Sequence, residues 1–329
     1  MPEKTISHST LVPTTGHFDA VVIGGGAAGL SGALMLARSR RSVVVIDGGT
    51  PRNAIADGVH GLLGLEGTPP AELLAKGRAE VRHYGGLVVS GEVVAAEPTP
   101  TKGGDPRFRV RLADGGTVTA RRLLVATGLR DVLPEVPGLA EHWGSGLVHC
   151  PYCHGWEVRD EPIGVLAVGP ASVHQALLFR QLTDDLVYFT RGTDLNADAR
   201  ERFAARGVQV VDGQVHEVLK DDEGGIASVR MADGRIVARR VLAVATSMWA
   251  RTEGVDGLRL PLEDLPNGMG RRFASGMAGT TDVPGVWVTG NATDPTAQVG
   301  ASAAAGALAG AHINADLATA DTEAALGSV

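Results

Sequence analysis

The sequence predicts an α/β protein made of two nucleotide-binding domains of the Rossmann-like, three-layer ββα type, the second inserted into the first. Three observations predict it. A glycine turn of the form G-x-G-x-x-G stands between a buried apolar run and a helical pattern near the start. A hairpin-like pattern occurs twice, more than a hundred positions apart. A further strand and glycine-containing turn precede its second copy as the first turn precedes the first copy.

Taken in order, Phe18 to Ile23 reads as a fully buried strand and Gly24 to Gly29 as the turn. Leu30 to Arg38 follows as a helix with apolar residues at Leu30, Ala33, Leu34 and Ala37, and Ser42 to Ile46 as a second buried strand. The run RVRLADGGTVTARRLLVATG from Arg109 resembles SVRMADGRIVARRVLAVATS from Ser228, apart from one deleted residue. Each copy reads as a hairpin over an Asp-Gly turn, Asp114-Gly115 and Asp233-Gly234, that leads into a buried strand. The copies close units that open at Val21 and at Ile163 to Gly169. Residues 1–130, with a loose leader over 1–17, and 248–329 are therefore expected to form the first domain, and 131–247 the inserted one. Val286 to Val288 reads as one more strand. Ala297 to Leu317 reads as a helix rich in Ala and Gly, whose small side chains permit close packing against a flat cofactor or a partner subunit.

The chain has 329 residues, enough for two domains of ordinary size. Lys and Arg number 30 against 37 Asp and Glu, with no basic block, which excludes the electrostatic footprint of a nucleic-acid binder. No run of about 18 apolar residues occurs, and the first residues carry no secretory signal, so the expectation is a cytoplasmic protein without membrane association. Two cysteines lie three positions apart, which suits a catalytic pair in a reducing compartment and rules out a four-cysteine zinc site. No metal is expected.

Each glycine of the first turn has a physical reason. Gly24 allows the tight turn, Gly26 lets a pyrophosphate approach the backbone, and Gly29 lets helix and strand pack closely, with Ala27 and Ala28 between them. The helix N-terminus then faces the phosphates. Asp47, 18 positions after Gly29, stands where a carboxylate accepts hydrogen bonds from an adenosine ribose. The alternative is a glycine-rich turn with no ligand. Gly48, Arg52, Asn53 and His60 are placed along the cofactor or substrate pocket, a solvated loop being the other reading. Trp143, Trp156, Trp249 and Trp287 read as core or interface residues, and Met248-Trp249 as a candidate border of a substrate channel.

Cys150-Pro151-Tyr152-Cys153 is a C-x-x-C motif, a spacing that closes a small disulphide ring and often lowers one thiol pKa. Pro151 stiffens the loop. A half zinc site, a haem attachment signal completed by His154 and a pair of inert core thiols are the alternatives.

On these residues the chain resembles the thioredoxin reductase family of flavoproteins over essentially its whole length. The resemblance rests on GGGAAG at 24–29, Ala126-Thr127-Gly128, the cysteine pair 22 positions beyond, and PGVWVTGN at 284–291 followed by Gln298. It implies bound FAD in the first domain, an NAD(P)H-binding-like inserted domain, a flavin ring between the two, and a homodimer. It implies that Cys153 is the charge-transfer thiol facing the flavin and Cys150 the interchange thiol. The cofactor wall it implies adds Val94, Ala126, Thr127, Gly128, Gly290, Asn291, Gln298 and Val299.

Three departures from that pattern matter. His154 stands where the family has an acid, and an imidazole can still relay a proton. Asn291 replaces the acid that contacts the ribityl chain. The second fingerprint reads Gly169-Pro170-Ala171-Ser172-Val173-His174, so Ala171 occupies the close-approach position, Pro170 removes an amide donor, and Arg191 alone remains of a basic pair. NADPH is therefore expected to bind poorly or not at all. This combination looks like the branch of gliotoxin and holomycin dithiol oxidases, which close a disulphide in a small natural product and pass electrons through flavin to oxygen. The expected function is oxidation of a small-molecule dithiol through Cys150 and Cys153, with His154 shuttling protons. The alternatives are NADPH-dependent reduction of a thioredoxin-like protein and a flavin-bound redox-sensing protein.

Overall fold

The computed structural model describes residues 15–100 and 105–327. Its first half comprises β1 (Thr15–Ile23), α1 (Ala27–Arg38), β2 (Val43–Asp47), α2 (Pro70–His83), β3 (Leu87–Ser90), β4 (Val93–Pro98), β5 (Phe108–Leu112) and β6 (Thr117–Val125). There follow β7 (Leu129–Val132), β8 (Leu147–Val148), α3 (Pro151–His154), β9 (Ile163–Leu166), α4 (Ala171–Phe179), β10 (Leu186–Phe189), α5 (Ala197–Ala205) and β11 (Gln209–Val211). The remainder is β12 (Val215–Lys220), β13 (Ile226–Met231), β14 (Ile236–Ala238), β15 (Val241–Val244), β16 (Ser247–Ala250), β17 (Leu262–Asp264), β18 (Gly270–Phe273), β19 (Val286–Val288) and α6 (Val299–Leu326). Among the described residues no helix is long and apolar enough to cross a membrane.

Two parallel sheets organise the chain, one in the order β3-β2-β1-β6 with β19 beside β6, the other β11-β10-β9-β15-β8. Strands of the second sheet lie in sequence between β6 and β19 of the first, which is the expected insertion. Alternation along β1 builds two cores. Ala20 and Val22 pack with Leu30, Leu36, Trp287 and Ile313 towards the helices. Val21 and Ile23 pack with Phe108, Val110 and Val118 towards the hairpin of β4 and β5. The second sheet repeats this division, with Val165 and Phe179 on one side and Leu166 and Val229 on the other. A sheet covered on both faces explains the apolar runs that marked these strands.

The two repeat copies differ in one respect. In the first, β6 is continuous, its start pairing with β5 and its end with β19. In the second, the corresponding strand breaks at Arg239-Arg240 into β14 and β15, leaving β12-β13-β14 as a separate sheet. The antiparallel pair β7 and β16 lies where the chain passes between the two units.

Several expected boundaries move. β1 begins at Thr15, so 15–17 belong to a strand, while the rest of the expected leader, 1–14, lies outside the described residues. α1 begins at Ala27, inside the glycine motif. α6 runs nine residues past Leu317, to Leu326. Its end is held by charge: Arg122, 3% exposed, pairs with Asp316 and Asp105, while Arg121 and Arg41 pair with Asp321. The small residues of α6 serve packing on α1, since a Cβ at Gly306 would stand 1.9 Å from the Ala28 carbonyl oxygen and one at Gly310 2.4 Å from that of Gly32. Trp287 is buried as expected, but Trp156 and Trp249 are exposed, each with an arginine, Arg159 or Arg271, over its ring.

Candidate active site

The first glycine turn has the shape its residues predict. Gly24 adopts φ +113°, a conformation open to glycine, and accepts the close approach of the Ala126 carbonyl. A Cβ on Gly29 would lie 1.9 Å from the Gly24 carbonyl oxygen, so this glycine is a packing residue beneath the turn. A Cβ on Gly26 would meet nothing within 4 Å, because Gly26 faces open space.

That space is a cavity of about 1080 Å³. Of the expected cofactor residues, Gly24, Gly26, Ala27, Ala28, Asp47, Gly48, Arg52, Asn53, His60, Ala126, Thr127, Gly128, Gly290, Asn291, Gln298 and Val299 line it. Val94 does not: pleating turns it outward, 48% exposed, and the neighbouring Val93 lines the wall instead. Asp47 accepts hydrogen bonds from the Gly49 amide at 2.9 Å and from Arg78 at 2.9 and 3.2 Å, which leaves a carboxylate with further acceptor capacity. The Asn291 amide nitrogen donates to the carbonyls of Asp294 and Ala297, so it shapes the turn leading into α6. Ser302, one turn into α6, is 7% exposed, lines the cavity, and its Oγ has no partner among the described residues. A cradle at Gly26 and an orphaned hydroxyl fit a dinucleotide.

Cys150, Cys153 and His154 line the same cavity. Cys150 caps the single turn of α3, with Pro151 in its first helical position, where the missing amide costs nothing. The turn closes on Gly155, where a Cβ would stand 2.1 Å from the Pro151 carbonyl oxygen. Both cysteines are free thiols, their sulfurs 2.7 Å apart, with Cys153 donating to Cys150. That hydrogen bond, together with the amides of Tyr152 and Cys153 and the charge of Arg52, lowers the Cys150 pKa to about 6 against the opposing effect of burial. The proton is held on Cys153, whose pKa is raised by the same bond and by burial. Burial pushes the His154 imidazole below its ordinary range, His60 and His149 adding to this against Glu157 and Asp57. Neither of its ring nitrogens has a partner among the described residues.

Loops from separate parts of the chain converge on the pair. Arg52 donates to both carboxylate oxygens of Asp131 at 2.7 Å, and Thr246 Oγ1 donates to the same group at 2.6 Å. Burial favours the protonated acid at Asp131, but Arg52 and Thr246 outweigh it and hold the group below the usual carboxylate range. Arg52 is thereby fixed where its charge acts on both thiols. His60 pairs with Glu66 at 2.7 Å and lies 3.6 Å from Glu157, on the segment after α3. Met248 lines the cavity, whereas Trp249 does not. Sequence reasoning missed Arg78, Asp131, Thr246, Gln175 and Ser302, which lack any local motif.

The second turn is different. Pro170 caps α4 without a donor, and the Arg191 guanidinium turns inward to donate to the Ala167 carbonyl at 2.9 Å. Burial depresses the Arg191 pKa, as expected for a cation taken out of water. Loop residues Asn267 to Met269 wall the turn, pinned by Ser247 Oγ donating to the Gly268 carbonyl at 2.7 Å. Between that loop and the turn lies a crevice of about 120 Å³.

Fold and site define a class: the chain belongs to the pyridine nucleotide-disulphide oxidoreductases, whose sequence profile matches residues 18–310, and it is an enzyme. Flavoproteins of this family bind FAD and usually NAD(P)H. Within the family it is thioredoxin reductase-like. The thioredoxin reductase tcpT of Claviceps purpurea is 37% identical over 265 residues, 78% of this chain and 81% of its own. The thioredoxin reductase aclD of Aspergillus oryzae is 30% identical, with 83% and 88% covered. Among solved structures, HlmI superposes with a TM-score of 0.88 at 42% identity, covering 95% of this chain and 96% of its own. An oxidoreductase from Agrobacterium tumefaciens gives 0.84 at 34% identity, with 92% and 99% covered.

Proposed function

We propose that the chain is an FAD-dependent oxidase of a small-molecule dithiol, closing an intramolecular disulphide through Cys150 and Cys153 with dioxygen as the final acceptor. The observation that carries this reading is the contrast between its turns. The redox pair and the first glycine turn share one cavity of about 1080 Å³, while the second turn, with Pro170 and Ala171 in place of its flexible positions, borders a crevice of about 120 Å³. A space at the upper end of the roughly 300–1,000 Å³ typical of ligand sites accommodates a cofactor with a substrate beside it.

Gly24 to Ala28, Asp47 and the start of α6 would hold FAD, which when bound would supply the two-electron redox chemistry linking the reduced pair to dioxygen, with hydrogen peroxide as the product. The remaining steps belong to the chain. A substrate thiolate attacks the Cys150–Cys153 disulphide at Cys150, and Cys153 leaves. The second substrate thiol then attacks the substrate sulfur of the mixed disulphide and expels Cys150. A leaving thiol with a pKa of about 6 leaves readily, which favours release of the oxidised product. Two electrons and two protons have left the substrate. His154, half-buried, with its imidazole pushed below its ordinary range and both ring nitrogens unpartnered among the described residues, accepts the second thiol's proton.

The names of the relatives support a second reading, NADPH-dependent reduction of a thioredoxin. The test is oxygen uptake by the purified protein with dithiothreitol. One peroxide per disulphide formed, and loss of at least about a thousandfold in Cys150→Ser, is expected for a covalent relay. Turnover that requires NADPH and thioredoxin would replace this reading by the second.

A further inference from the structure

The inserted unit contributes more than the cysteine pair to the cavity. From α4, the helix that follows the closed second turn, Ala171, His174, Gln175 and Leu178 all line it. Gln175 is the unusual member. It is 6% exposed, and its Nε2 donates to the carbonyl of His149, the residue before Cys150, at 2.7 Å. Its Oε1 is buried, with no partner among the described residues. An amide is planar, so the bond to His149 fixes where Oε1 points relative to the backbone that leads into the interchange cysteine.

A buried acceptor left unmade is costly, and native structures rarely keep one without a reason. An acceptor on the wall of a binding cavity is completed by a donor that arrives with the ligand. Leu178 and Ala171 on the same helix are apolar, as is Trp143 elsewhere on the cavity lining, so beside His174 and Gln175 this wall has apolar surface that suits a carbon skeleton.

We propose that α4 forms the substrate wall of the redox site and that Gln175 Oε1 accepts a hydrogen bond from an N–H or O–H donor next to the substrate's thiols. The inference rests on the dithiol oxidase reading and adds a selectivity to it. Gln175 discriminates donor-bearing dithiols from the same skeletons with the donor capped. The helix of a lost nucleotide site is reused to choose the dithiol.

The probes are 2,3-dimercaptopropan-1-ol and its O-methyl ether, with kcat/KM measured for each by oxygen uptake. The native protein is expected to prefer the alcohol by roughly tenfold to a hundredfold, the range for a buried group left unpaired. Gln175→Leu is expected to bring the ratio to about one, and Gln175→Glu, which keeps acceptor oxygens but loses the N–H that holds the side chain on the His149 carbonyl, to leave a reduced preference for the alcohol. A residue that only supports the His149 carbonyl would lower both substrates together and leave the ratio intact. That result, or a native ratio near one, overturns the inference while leaving the oxidase reading in place. Failure of the native protein to oxidise either dithiol removes the oxidase reading and this inference with it. Flavin content and thermal unfolding of both variants separate a change in selectivity from a failure to fold.

Discussion

The two glycine turns each follow a buried parallel strand into a helix, and each unit closes with a hairpin over an Asp-Gly turn, yet they have diverged in what they leave open. At the first, Gly24 bends, Gly29 tucks beneath and Gly26 faces a large cavity. At the second, Pro170 and Ala171 replace the turn's flexible positions, Arg191 donates to the Ala167 carbonyl, and loop Asn267 to Met269 borders a crevice of about 120 Å³. The difference teaches that a nucleotide-binding scaffold outlives its ligand. Sheet and helix packing keep the fold, while a few side chains at the turn decide occupancy. The redox pair shares its cavity with the first turn.

The sharpest way to break the comparison is to put one methyl group into each turn. Gly24→Ala, at φ +113°, drives a Cβ to 2.2 Å from the Ala126 carbonyl oxygen and should cost about 2–3 kcal/mol with loss of flavin. Gly169→Ala brings its Cβ only to 3.7 Å from the nearest atom, the Asn267 carbonyl oxygen, and should cost under about 1 kcal/mol with flavin retained. Thermal unfolding and the flavin absorbance band measure both. Equal damage at the two turns would remove the contrast.

A second, smaller effect concerns the pair. In the reduced native protein, alkylation by iodoacetamide should rise with pH through about 6 and then level off, because the reactive thiolate of Cys150 forms above its pKa. Arg52→Met should move that rise to higher pH by removing a positive charge, and cost about 1–3 kcal/mol by leaving buried Asp131 without its cation. An unmoved profile would mean that Arg52 serves Asp131 alone. The smallest effect lies at the closed turn: Arg191→Ala removes one hydrogen bond to a backbone carbonyl, so about 1 kcal/mol or less should be lost and dithiol turnover should stay within a factor of two. A large fall in turnover would place the closed turn in the reaction after all.

The sequence made legible what is local. Strand, turn and helix from Phe18 to Arg38, both Asp-Gly hairpins and the cysteine pair carry their periodicity and turn chemistry in adjacent residues. The cofactor wall is harder to read where one residue of register decides the face: Val93 lines the cavity, while Val94, expected on the wall, is 48% exposed. What stayed hidden depends on partners far along the chain. Asp131 meets Arg52 across 79 positions, Thr246 reaches the same carboxylate across 115, and Asp321 and Asp316 extend α6 by pairing with arginines on other elements. Gln175 and Ser302 belong to no motif, and their meaning lies in being buried without a partner.

The central claim is that electrons enter from a dithiol and that the second turn admits no nicotinamide cofactor. Mixing the flavin-loaded protein anaerobically with dithiothreitol in one cell and NADPH in another, and following the flavin absorbance band, tests it most directly. The account predicts bleaching by the dithiol, none by NADPH, and return of the yellow colour on admitting air. Prompt bleaching by NADPH would contradict it and make the reductase the better account.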